Sequence, residues 1–295
     1  MTVTPGHKPD KSYQEFVVQS ESIRGNSIFS PDADGAHICR DLLKRYWDQT
    51  VLILDHQVDA ILCDAWFDKI YQQHNEDGRF YHTSVHLKEI LEYWYIIIQL
   101  SDQPPSLQPF DKGYFTIIIV WATFFHDAVY NPRSTQNERE SANLFKDFSK
   151  QVLGLNFDEP IIEKDDIKGI LGVAKLVISL IHATEKHQII TTASMTATEI
   201  ELQKFFLDLD MAVLGKKKEA YLAYAGLIRK EYAFIDLSIY CEKRAEILSG
   251  FLKNQKRIFL SDLFHHHMEV QARNNLKDEI ELLKRGIVPE GKCSS

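Results

Sequence analysis

The sequence is poor in cysteine: its four, Cys39, Cys63, Cys241 and Cys293, stand too far apart for a C-x-x-C pair. That spacing excludes a zinc ribbon or a thioredoxin-type motif and fits thiols kept free in a reducing compartment. Long apolar runs are missing too. The longest, residues 114–125, is 12 residues, whereas a helix crossing a bilayer needs about 20. Residues 1–12 lack the basic and then apolar stretches of a secretory signal, so a cytoplasmic protein with no membrane partner is expected. Positive charge is in deficit, with Lys+Arg 34 against Asp+Glu 42 and a net charge of −8. Such a balance argues against polymeric nucleic acid or an anionic membrane as the main partner. Neither G-x-x-x-x-G-K-[ST] nor G-x-G-x-x-G occurs, nor does a G-x-S-x-G elbow. The usual phosphate-cradling loops and the hydrolase nucleophile turn are therefore excluded.

What is present is helical periodicity. The first 35 residues are polar and punctuated by Pro5, Pro9, Gly25, Pro31 and Gly35, which reads as a partly flexible extension outside the core. Beyond it, Ile38, Leu42 and Tyr46 form one apolar stripe, and Val58, Ile61, Leu62, Trp66 and Ile70 a second. A third helix is expected from about Ser84 to Ile98, carrying His86, Ile90, Leu91 and Trp94. Residues 101–113, with Pro104, Pro105 and Pro109, read as a loop. Residues 114–128 are apolar on all sides. Ile117, Ile118, Ile119 and Val120 favour strand, but with no partner strand in sight the length favours a central buried helix. Further helices fit residues 138–151, 165–184, 198–214 (stopped by Gly215), 218–234, 238–259 and 263–283. The expectation is an all-α protein: a single compact helical bundle over residues 36–285, with an extension (1–35) before it and a tail (286–295) after it.

Four segments hold polar groups that are expensive in a core. In Arg79-Phe80-Tyr81-His82-Thr83-Ser84-Val85-His86, a helix would put His82 and His86 on one face with Arg79 a turn earlier, a spacing by which imidazoles reach a metal or a substrate. Phe124-Phe125-His126-Asp127 puts a His-Asp pair at the end of the most apolar stretch, where an unpaired carboxylate costs several kcal/mol (roughly) and a divalent metal would offset it. In Asp208-Leu209-Asp210 the two carboxylates point about 200° apart on a helix, so at most one faces a buried site. His182 and His187, flanking Ala183-Thr184-Glu185-Lys186, read as additional ligands or phosphate contacts, or as cations at a helix C-terminus.

The order of these segments resembles the HD superfamily of metal-dependent phosphohydrolases, and within it a branch of predicted phosphohydrolases. That branch shares R-x-Y-H-x-x-x-H (Arg79 to His86), the His-Asp pair, Asn-Glu-x-x-Ser-Ala (Asn137 to Ala142), D-x-D-x-x-x-L-G (Asp208 to Gly215), I-R-x-E-Y (Ile228 to Tyr232) and E-x-x-A-R-x-N-L (Glu269 to Leu276). The resemblance implies an HD-type helical domain and a metal-dependent phosphomonoesterase or phosphodiesterase acting on a nucleotide or similar small phosphate. It implies one or two divalent ions (Mn, Mg, Co, Ni, Fe or Zn) held by His82, His126, Asp127 and Asp210, with Asp208 left to solvent or a supporting contact. Two alignments compete for the first ligand. Against HD triphosphohydrolases His82 is the ligand and His86 the general acid, whereas against cyclic-nucleotide phosphodiesterases the two exchange roles. Arg79 is expected to grip a phosphate oxygen, and Glu138 and His187 (or His182) to complete a second metal or the water network. The rival readings are a nucleotide-binding regulatory protein without turnover, and an HD-type di-iron oxygenase drawing extra ligands from His182 or His187.

Overall fold

The computed structural model describes residues 11–27, 29, 33–54, 58–100, 112–157, 169–192, 195–254 and 256–289. Among them are eleven α-helices and no strand. The first six are α1 (Lys11–Gly25), α2 (Ala33–Leu54), α3 (Ala60–Gln73), α4 (Ser84–Gln99), α5 (Lys112–Phe125) and α6 (Asn137–Leu153). After them come α7 (Ile170–Thr184), α8 (Ala197–Asp210), a 3-10 turn (Met211–Gly215), α9 (Lys218–Glu231), α10 (Leu237–Asn254) and α11 (Asp262–Lys284).

The β-branched run is helical because its surroundings override its propensity. Every residue from Phe115 to Phe125 is buried, and α2, α4, α6 and α7 pack around α5. Side-chain caps set several boundaries: Asp59 opens α3, Thr83 opens α4, Thr196 and Glu199 form a capping box on α8, and Ser261 opens α11. Beneath α5, Trp47, Phe124, Phe125 and Phe148 meet edge-to-face or tilted at 5.1–6.3 Å.

Two expectations need correction. Residues 11–25 are no loose extension: α1 packs on α4 and α9, and Phe16, Ser20 and Ile23 are buried. Phe16 lies 5.3 Å from Phe264 of α11. The stripe on α2 is out of phase by one residue. Ile38 is 69% exposed, and the core face is Cys39, Leu43, Tyr46, Trp47 and Thr50. Residues 1–10 and 101–111, and the start of the helix expected at 165, lie outside the described residues; Lys112 and Gly113 already belong to α5. Among the described residues no helix is long and apolar enough to cross a membrane.

Candidate metal centre

Three helix ends converge. Thr83 caps α4, which puts His86 in the first turn of that helix. His126 and Asp127 follow the last residue of α5, and Asp210 is the last residue of α8. His86 Nε2 lies 3.1 Å from Asp210 Oδ1, and His126 Nε2 lies 3.6 Å from the same oxygen. One ligand atom from each of the three falls within 4.8 Å of the others, so His86, His126 and Asp210 could hold a metal ion. Asp127 Oδ2 is 3.2 Å from His126 Nε2, and His187 Nε2 is 3.1 Å from the second oxygen of Asp210.

The chemistry of this set suits a cation. His126 Nδ1 donates to Thr123 O at 2.9 Å. Its Nε2 is then left buried, without a hydrogen-bond partner, between two carboxylates. Burial alone would raise both aspartates, but His126 and the neighbouring histidines hold Asp127 and Asp210 below the usual carboxylate range. Burial alone would likewise lower His126, yet Asp127 and Asp210 lift it well above its ordinary value. Burial does win at His86, which is pushed down and stays neutral; its Nδ1 meets the Tyr81 hydroxyl at 3.1 Å. Two buried imidazoles facing two surplus carboxylates are a borderline-hard ligand set.

His82 sits elsewhere than the helical spacing suggested. It precedes α4 in a bent segment, off the helix that carries His86. Glu231 fixes it: Oε1 accepts the backbone N–H groups of Phe80, Tyr81 and His82 at 2.8–3.0 Å, and Oε2 accepts His82 Nδ1 at 2.7 Å and the Tyr130 hydroxyl at 2.8 Å. Burial opposes charge on both partners, but their pairing prevails, raising His82 above its ordinary value and holding Glu231 at about 2. The Tyr130 ring lies against His82, centroids 4.4 Å apart.

Arg79, expected to grip a phosphate oxygen, is engaged by backbone carbonyls. Its guanidinium donates to the carbonyls of His82, Asp127 and Ala128 at 3.2, 2.7 and 2.9 Å, tying the bend before α4 to the His-Asp turn. Asp208 is neither in solvent nor beside the site. It is buried on the opposite side of α8, where its two oxygens accept the N–H groups of Leu260 and Ser261 at 2.7 Å each. Burial outweighs those bonds and pushes its carboxyl up to about 7. His182 lies outside the cluster, half-buried on α7, where burial and then Lys146 push it below its ordinary value.

His187 holds an unusual backbone position. It closes α7 with φ of 48°. Gln188 N–H bonds Ala183 O, and His187 N–H bonds Thr184 O, each at 3.3 Å. That is the paired bonding of a Schellman cap, whose left-handed residue is usually glycine. A histidine there, reaching Asp210, is strain placed at a site.

Beside the cluster opens a cleft of about 620 Å³ whose wall includes His82, Asp127, Glu138, His187, Asp210 and Arg244. Glu231, Tyr81 and Arg244 were not singled out by sequence reasoning as site residues. Glu231 lay in the I-R-x-E-Y stretch, but nothing local marked Arg244 on α10. No family model and no curated protein matches this chain.

Proposed function

We propose that the protein is a metal-dependent phosphohydrolase that releases phosphate from a small phosphorylated substrate, a nucleotide or a molecule like one. The observation that carries this reading is the convergence of His86, His126 and Asp210 beside a cleft whose wall also presents Asp127 and a Glu231-held His82. Two imidazoles favour a first-row transition ion over Mg. When bound, the ion would supply a Lewis acid and a hydroxide source near neutral pH.

The chain's own residues do the rest. Thr123 O fixes the His126 tautomer so that Nε2 faces the ion's position, and Tyr81 orients His86. Glu231 keeps a proton on His82 Nδ1 and favours the imidazolium, so His82 Nε2 can donate to the leaving oxygen. This arrangement supports His86 as the ligand and His82 as the acid. Arg79 locks the two backbone segments that bear these groups. Cys39, Cys63 and Cys241 are buried free thiols, which supports a reducing, cytoplasmic setting.

The test is metal analysis of purified protein, followed by phosphate release from a nucleotide panel. Wild type is expected to carry metal and to turn over at least one ester. Asp210→Asn should lose most of the metal and at least about 100-fold in rate, with unchanged circular dichroism. A metal-loaded wild type inert across the panel would count against the reading.

A further inference from the structure

Arg244 stands on the cleft wall with an unfinished set of partners. Its Nε donates to Glu279 Oε1 at 3.0 Å, and the guanidinium carbon lies 5.7 Å from the centroid of the Tyr224 ring. The other oxygen of Glu279 accepts the Tyr221 hydroxyl, so the carboxylate is satisfied while the guanidinium is not: Nη2 is buried and makes no hydrogen bond. Of the buried side-chain polar atoms without a hydrogen bond among the described residues, Nη2 of Arg244 is the one on a residue lining this cleft, and such a donor carries a standing penalty. Lys186, the other Lys or Arg among the described lining residues, is exposed. Arg244 is thus the one largely buried Lys or Arg on a wall that otherwise carries Asp127, Asp210, Glu138 and Glu185. Between it and the metal end, Tyr224 meets Tyr81 edge-to-face with centroids 4.6 Å apart, and Tyr81 meets His86. The guanidinium therefore belongs to the same cleft without sharing the metal ligands.

We propose that Arg244 receives a second, non-scissile phosphate of the substrate, so that the cleft selects esters with two separated phosphate groups over those with one. A planar fork of donors, held by Glu279 through Nε, has outer nitrogens that no carboxylate occupies, and such a fork matches a phosphate oxygen pair. Leu248 and Phe251, near Arg244 along α10 on the same wall, offer an apolar surface for the body of the molecule. The proposal rests on the phosphohydrolase reading for which phosphate is scissile, but its binding test does not require turnover.

Calorimetry of metal-loaded protein with adenosine 3′,5′-bisphosphate and with adenosine 5′-monophosphate compares one phosphate with two on the same body. Wild type is expected to bind the bisphosphate at least tenfold more tightly. Arg244→Gln should reduce it to the level of the monophosphate and leave monophosphate affinity unchanged. Arg244→Lys, which keeps the charge beside Glu279, should retain part of the difference and serves as the control for folding. If both ligands weaken equally in both variants, if neither changes, or if wild type binds neither, the proposal is overturned. Should the binding difference stand while no ester of the nucleotide panel releases phosphate, the hydrolase reading fails and the phosphate subsite survives.

Discussion

At the scale of single residues, Glu231 is the most consequential group outside the metal cluster. It accepts three backbone N–H bonds, the His82 ring and the Tyr130 hydroxyl, and these five donors explain how a carboxylate so deeply buried stays ionised. His82, raised by that partner, contributes stability that is fully present below the ordinary histidine value of about 6.5 and is lost as pH rises through its raised folded value. Glu231, held at about 2, contributes stability present above the ordinary glutamate range and lost as pH falls toward 2. The pair is therefore fully charged at mildly acidic pH, between the ordinary glutamate and histidine values of about 4.3 and 6.5. Replacing Glu231 by Gln removes the charge that chiefly raises His82 against burial, so its pKa should fall. If His82 is the proton donor, the alkaline limb of kcat against pH should move at least one unit lower in Glu231→Gln. A limb that stays in place would assign the proton to another group.

At the scale of elements, what the sequence conveyed depended on whether one helix or two decided the matter. The start of α4 at Ser84 and its apolar positions were legible, because Thr83 followed by an amphipathic stripe is a local signal. The helicity of α5 was legible from length and the lack of a partner strand. The phase of α2 was not, since Cys39, Leu43 and Trp47 become the core face only through where α4 and α5 lie. Arg79 and His82 were misplaced for a related reason: a helical spacing extended one turn too far upstream hides the bend that Glu231 holds from α9. Gly215 shows a contact no local pattern announces. A Cβ there would sit 2.5 Å from Met268 Cβ, so the glycine lets the 3-10 turn after Asp210 press against α11. Asn275 then donates to Leu214 O and Lys216 O at 2.8 Å each. Gly215→Ala must part the turn from α11 and should cost about 1–3 kcal/mol, read as a lower urea midpoint with unchanged slope. Loss of metal should accompany it, because Asp210 enters that turn.

For the whole molecule, the acidic excess is not all on the surface. Glu89, Asp208, Glu231, Glu269 and Glu279 are buried, and each has its own donors, whereas Asp127 and Asp210 have only histidines. The surplus negative charge of the interior is therefore concentrated where the cation is proposed. Glu89 is matched by Lys216, which is fully buried and also donates to Ile23 O and Asn26 O at 2.9 and 2.8 Å. Through that lysine, the Arg24–Gly215 bond of 3.2 Å and the Phe16–Phe264 contact, α1 is joined to the turn that follows Asp210. A chain starting at residue 27 would lose a fully buried Phe, worth about 3–5 kcal/mol by the usual cost of truncating one. It would also strip two acceptors from the buried Lys216. Calorimetry should then show the melting temperature lowered by about 10 °C or more, at roughly 2–4 °C per kcal/mol for a domain of this size. Metal should be held more weakly in the same protein, because the Gly215 turn loses its support from α1. An unchanged melting temperature would make the first helix an appendage after all.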